Sequence, residues 1–124
     1  MSTFLISKQF EFVIPSGQTG LNVDPIDLGK NYIGVVVACD NLTGVQASTT
    51  LNLRVGEKTN DTSRTVYKID DPKTAWGDVI PASGTYRVLC ADALGARTVQ
   101  IVLDKTTTQE KVFIVYGLDG ASGS

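Results

Sequence analysis

The chain has 124 residues, 42% hydrophobic and 19% charged, a length and mix that suit one domain with one core. Its 11 Lys and Arg against 13 Asp and Glu leave a net charge of −2, so neither a disordered polyelectrolyte nor a nucleic-acid-binding surface is indicated. There is no His, which removes Ser-His-Asp and Cys-His nucleophiles, His-ligated zinc and the usual physiological pH switch.

In chain order, the first residues carry no basic stretch, and Phe4, Leu5 and Ile6 form too short an apolar run for a signal peptide or a membrane span. Synthesis in the cytosol and no membrane partner are expected. Three apolar residues with no charge before Lys8 read as an edge strand in need of cover, so Phe4, Leu5 and Ile6 are candidate partner-binding residues. The competing reading makes them part of the first strand, covering their own core. Residues 9–14 alternate, with Phe10, Phe12 and Ile14 on one face, and Pro15, Gly17 and Gly20 supply turn chemistry after them. Residues 32–39 are almost continuously apolar, the signature of a central strand buried on both faces. Residues 49–55 place Leu51, Leu53 and Val55 on one face, residues 65–69 alternate, and residues 85–89, 98–103 and 111–116 complete the strands.

The pattern predicts an all-β, single-domain antiparallel β-sandwich, jelly-roll or Ig-like, with about seven to eight strands over residues 1–117, and a flexible Gly/Ser-rich tail over 118–124. Val35, Val37, Leu51, Leu53, Val88, Ile101 and Ile114 are the expected core. Asp71 before Pro72 could open a helix, but Gly77 and Pro81 limit it to a turn, and residues 90–95 read as a connector. Cys39 and Cys90 each end an apolar run and are expected to be reduced, buried thiols.

Little in the chain carries chemistry. The turn from Gly17 to Gly20 lacks the Lys-Ser/Thr ending of a phosphate loop, and the loop aspartates do not follow calcium-loop spacing. Scattered turn carboxylates do not make the facing pair that glycoside hydrolysis needs. No catalytic, cofactor or metal residue is therefore assigned, and the chain reads as a protein that is not an enzyme. Asn41 and Asn60 head glycosylation sequons and are read as turn residues. Trp76, the single Trp, sits in the longest expected loop: it caps one end of the core, or it anchors a partner or stacks on a sugar ring, which makes it a fourth candidate partner-binding residue.

Several segments together resemble a known family. FVIPSGQT at 12–19, IDLG at 26–29 running into YIGVVV at 32–37, LNLRV at 51–55, YRVL at 86–89 and DALGARTVQIV at 92–102 are similar to small all-β structural proteins encoded in tailed-bacteriophage virion gene clusters. The family's usual run of acidic and Gly residues after the middle strand is replaced here by DDPKTAW at 70–76, so a contact surface in that loop is not carried over. The resemblance implies a virion component made in the host cytoplasm, foremost a capsid decoration (cement) protein. Such a protein binds and stabilises the assembled head through the major capsid protein lattice, as a homo-oligomer with a trimer favoured. The alternative it implies is a carbohydrate- or receptor-binding module of a tail or head fibre, with a cell-surface glycan as partner and Trp76 as its platform.

Overall fold

The computed structural model describes residues 4–58 and 64–120, without the side chains of residues 4–6 and 120. Ten strands form among these residues: β1 (Phe4–Ile6), β2 (Phe10–Ile14), β3 (Ile26–Tyr32), β4 (Gly34–Cys39), β5 (Thr49–Gly56), β6 (Arg64–Thr65), β7 (Gly77–Ile80), β8 (Tyr86–Cys90), β9 (Ala96–Leu103) and β10 (Lys111–Gly120). They make two five-stranded antiparallel sheets. In one, β10 lies between β4 and the pair β1 and β2, with β8 beyond β4; in the other, β9 and β5 are central, β3 flanks β9, and β6 and β7 share the far side of β5.

Both shared sides are single strands that break once. From Ile6 to Phe10 the chain advances four residues while its partner retreats three, from Leu118 to Val115, so β1 and β2 form one edge line with a bulge of one residue. Counted this way, each sheet has four strands, in the order β1/β2–β10–β4–β8 and β3–β9–β5–β6/β7. Consecutive strands thus change sheet at every step except from β5 to β6/β7, which pair as neighbours, and the two Greek keys so formed are the jelly-roll connection. Of the two sandwich types the sequence leaves open, the strand order selects the jelly roll.

The bulge is held by a side chain. Ser7 is buried, its Oγ accepts the Gly117 N–H at 2.8 Å, and its own N–H donates to the Gly117 carbonyl at 3.0 Å. Without that hydroxyl the Gly117 amide is buried and unpaired, so Ser7→Ala is expected to cost about 1–3 kcal/mol in urea unfolding. A variant with an unchanged urea midpoint would show that the bulge does not depend on this bond. Gly117 itself has no substitute, because a Cβ there would overlap the Tyr32 ring laid across it from β3.

The core lies between the sheets and follows strand parity. Phe12, Ile14, Val35, Val37, Leu51, Leu53, Val55, Val99, Ile101, Phe113 and Val115 are buried in one cluster. Two of the expected core residues differ. Val88 is only partly buried against the cluster. Ile114 points to the outer face, because it pairs with Ala38 and Glu11 one position out of step with Phe113 and Val115. The apolar run at 32–39 is also not one strand. Tyr32 ends β3 and Gly34 begins β4 in the opposite sheet, with Ile33 at the crossing. β10 continues through Leu118 and Asp119 to Gly120, paired with β1, so the fold runs past the tail boundary expected at 118. No helix forms among the described residues, and none is long and apolar enough to cross a membrane.

Candidate functional site

The residues singled out in the sequence fall at opposite lateral edges of the sandwich. β1 runs along the edge where β2 meets β3. Its backbone pairs with β10 in the register Phe4↔Gly120, Leu5↔Asp119 and Ile6↔Leu118, and the side chains of Phe4, Leu5 and Ile6 lie outside the described residues. Trp76 precedes β7 at the other edge. It is buried at 9% exposure within the core cluster, its N–H donates to the Val66 carbonyl at 2.8 Å, and its carbonyl accepts Asn52 Nδ2 at 2.7 Å. Trp76 is therefore a core residue, as the first of the two readings of the sequence has it. The loop leading to it is a small hairpin closed by a Tyr67↔Ala75 bridge, with Asp71 accepting the Thr74 hydroxyl at 2.5 Å and the Lys73 N–H at 3.3 Å. Those bonds hold the Asp71 carboxyl below its ordinary pKa, the Thr74 bond foremost.

The same edge is closed by Tyr86, whose hydroxyl crosses from β8 to donate to Asp78 of β7 at 2.5 Å. Burial, and then this bond, push the Tyr86 hydroxyl far above its ordinary value. Burial likewise raises the Cys39 thiol and pushes Cys90 up to about 12. Both thiols are free and buried. Cys90 pairs with Val35, four residues along β4 from Cys39, a gap of about 13 Å that no disulfide spans. All three groups keep their protons in the native state at a pH where the unfolded chain releases them. Their contribution is complete below the unfolded values, near 9 for the thiols and 10 for Tyr86, and is lost as pH rises above them. Unfolding free energies from urea titrations at pH 8 to 11 are expected to fall by on the order of 1 kcal/mol per pH unit for each group titrating only in the unfolded state. A flat profile would contradict this burial.

The two outer faces of the sandwich contrast sharply. On the β3–β9–β5–β6/β7 sheet most outward side chains are polar and engaged, with Val79 and Val102 the apolar exceptions. Gln100, 6% exposed, donates through Nε2 to the carbonyls of Gly20, Leu21 and Val23, which pins the loop after β2 across the sheet. Arg97 binds Asp27 through two nitrogens at 2.9 and 3.4 Å, and the Thr98 hydroxyl donates to the Lys58 carbonyl. The outward face of the β1/β2–β10–β4–β8 sheet is apolar. Val36, Ala38 and Tyr116 are buried there yet lie outside the core cluster, and Val13, Val112, Ile114, Leu118 and Leu89 surround them, with Leu89 51% and Val112 37% exposed. Among the described residues, the only charged side chains that strand parity places on this face are Glu11 and Arg87, both exposed; Lys111 and Asp119 of β10 have the opposite parity.

Two shallow depressions of about 220 and 240 Å³ flank Asp40 at one end of this apolar face, the first lined by Cys39 and Tyr86, the second by Asn41 and Lys111. Both are below the usual size of a small-molecule site and open to solvent. Among the described residues no group of three or more Cys, Asp or Glu converges as a metal site would require. What the molecule offers is a broad flat surface, and such surfaces bind other surfaces. The apolar face was visible in part from the sequence, since residues 112–116 are all apolar and therefore apolar on both parities. Compared with known proteins, the chain matches no family model, no curated protein and no solved structure.

Proposed function

We propose that this protein is a structural component of a tailed-phage virion, a decoration protein made in the host cytoplasm that binds the assembled head and stabilises it. The observation that supports this is the contrast between its faces: a hydrogen-bonded jelly roll with one outer face apolar and nearly uncharged works by protein–protein contact. A protein that binds the assembled lattice and not the free subunits stabilises the shell by mass action, so many modest contacts suffice. The glycan-binding alternative relied on Trp76 as a stacking platform, and that ring is buried.

Purified protein is expected to co-sediment with undecorated heads of its phage at saturable stoichiometry and to raise the temperature at which those heads open. Failure to bind heads, together with retention on a glycan array, would overturn the decoration reading in favour of the fibre module.

A further inference from the structure

We propose that the apolar outer face of the β1/β2–β10–β4–β8 sheet seats a second copy of this chain, related by a two-fold axis that runs along the strands between β10 and β4. The inference rests on the contact-surface reading above, but it names a partner, the protein itself, that does not depend on the phage.

The argument comes from one row of residues across the sheet. Antiparallel register places Glu11 opposite Ile114, Ile114 opposite Ala38, and Ala38 opposite Arg87, so these four side chains stand in line on the four strands and share one face. The row begins with the one acid and ends with the one base that the strands carry on this face, Asp40 lying past the end of β4 at its rim, and neither has a salt-bridge partner among the described residues. Strands are spaced evenly at about 4.8 Å, so Glu11 and Arg87 lie equally far, about 7 Å, on either side of the line between β10 and β4. Rotation by 180° about that line turns the face over onto a copy of itself and reverses the row. Glu11 of each copy then meets Arg87 of the other, and Ile114 meets Ala38.

The rows beside it are apolar. Tyr116, Val36 and Leu89 line up on one side, and Val13 and Val112 on the other. Such a patch is self-complementary, as an isologous interface requires. Its apolar centre and charged rim also follow the usual anatomy of a protein interface. The other outer face has no comparable row, because Asp27 and Arg97 already pair with each other within one chain. A face four strands wide and about five residues long covers roughly 19 by 17 Å, below the usual size of a stable interface, so the pair is a weak one that dissociates on dilution. It is a two-fold pair, in place of the trimer implied by the family resemblance.

Sedimentation equilibrium of the full chain from low to high micromolar concentration tests this. A monomer–dimer equilibrium is expected. Glu11→Arg and Arg87→Glu each place like charges opposite one another twice in the dimer, and each is expected to weaken association about tenfold or more. The double reversal is expected to restore it, and the two single variants mixed together are expected to form a heterodimer. Both sites are exposed, and an unchanged circular dichroism spectrum and melting temperature would confirm that the variants fold. Ile114→Lys, at the centre of the face, is expected to leave only monomer. A trimer, a strict monomer at high micromolar concentration, or a dimer indifferent to both charge reversals would overturn the proposal. Dimerisation without head binding would leave this inference standing and remove the decoration reading, whereas head binding by a strict monomer would do the reverse.

Discussion

Replacing Ile101 with Asp is expected to leave no folded protein, whereas Lys at Ile114 leaves the fold intact. Ile101 is fully buried on β9, directly opposite Leu53 of β5, in the layer shared by both sheets. A carboxylate there has no cation and no donor within the apolar cluster. Even if it took up a proton, its burial without a partner would cost several kcal/mol, added to the lost burial of the Ile side chain. That sum is comparable with the roughly 5–15 kcal/mol that holds a domain together. Val37→Asp has the same outcome for the same reason, since Val37 is fully buried between Val115 and Val88. Ile101→Val, which removes one methylene, is expected to cost only about 0.5–1.5 kcal/mol. Backbone amide spectra check all of these variants. A dispersed, cooperatively unfolding Ile101→Asp protein would mean that the residue does not lie between two sheets.

The contrast between Ile101 and Ile114 also marks how far the sequence could be read. Where a strand alternates, as at Phe12 and Ile14 or Leu51, Leu53 and Val55, period-two patterning alone picks the buried face, and these residues are all in the core. Where a strand is apolar throughout, as at residues 34–39 and 112–116, parity is silent. Both sides qualify, and Ile114 was assigned to the wrong one. The register with Phe12 and Val37 decides it, and that register is set by pairing partners far away in the chain. The same cause hid the candidate surface. Glu11 and Arg87 are 76 positions apart in the sequence (87 − 11) and share a row only because two other strands lie between them. β7 went unpredicted because Gly77-Asp78-Val79-Ile80 has weak strand propensity and is ordered by pairing with β5. The crossing at Ile33 left no sequence mark, since a β-branched residue serves a strand as well as it serves the corner between two.

Trp76→Ala is expected to lower stability by about 3–5 kcal/mol while leaving self-association and head binding unchanged at equal concentrations of folded protein. The indole is 9% exposed and belongs to the core cluster, so truncation removes the largest apolar side chain at that edge and leaves a cavity that the surrounding strands refill only in part. The two backbone bonds of residue 76, to the Val66 carbonyl and from Asn52 Nδ2, do not involve the indole and survive the substitution. They keep the hairpin over residues 66–76 attached to β5, so the damage stays in the core and does not spread to the outer face of the opposite sheet. Trp76→Phe, which retains most of the apolar volume, is expected to cost less than half as much. Because Trp76 is the only Trp, its own fluorescence reports the wild-type environment: blue-shifted emission in the native state that moves to longer wavelength on unfolding. Urea unfolding of the three proteins, with sedimentation and head-binding assays beside it, separates the two roles considered for this residue. Stability unchanged in Trp76→Ala, with association or head binding lost, would make Trp76 an interface residue and move the contact surface from the apolar face to the β7 edge.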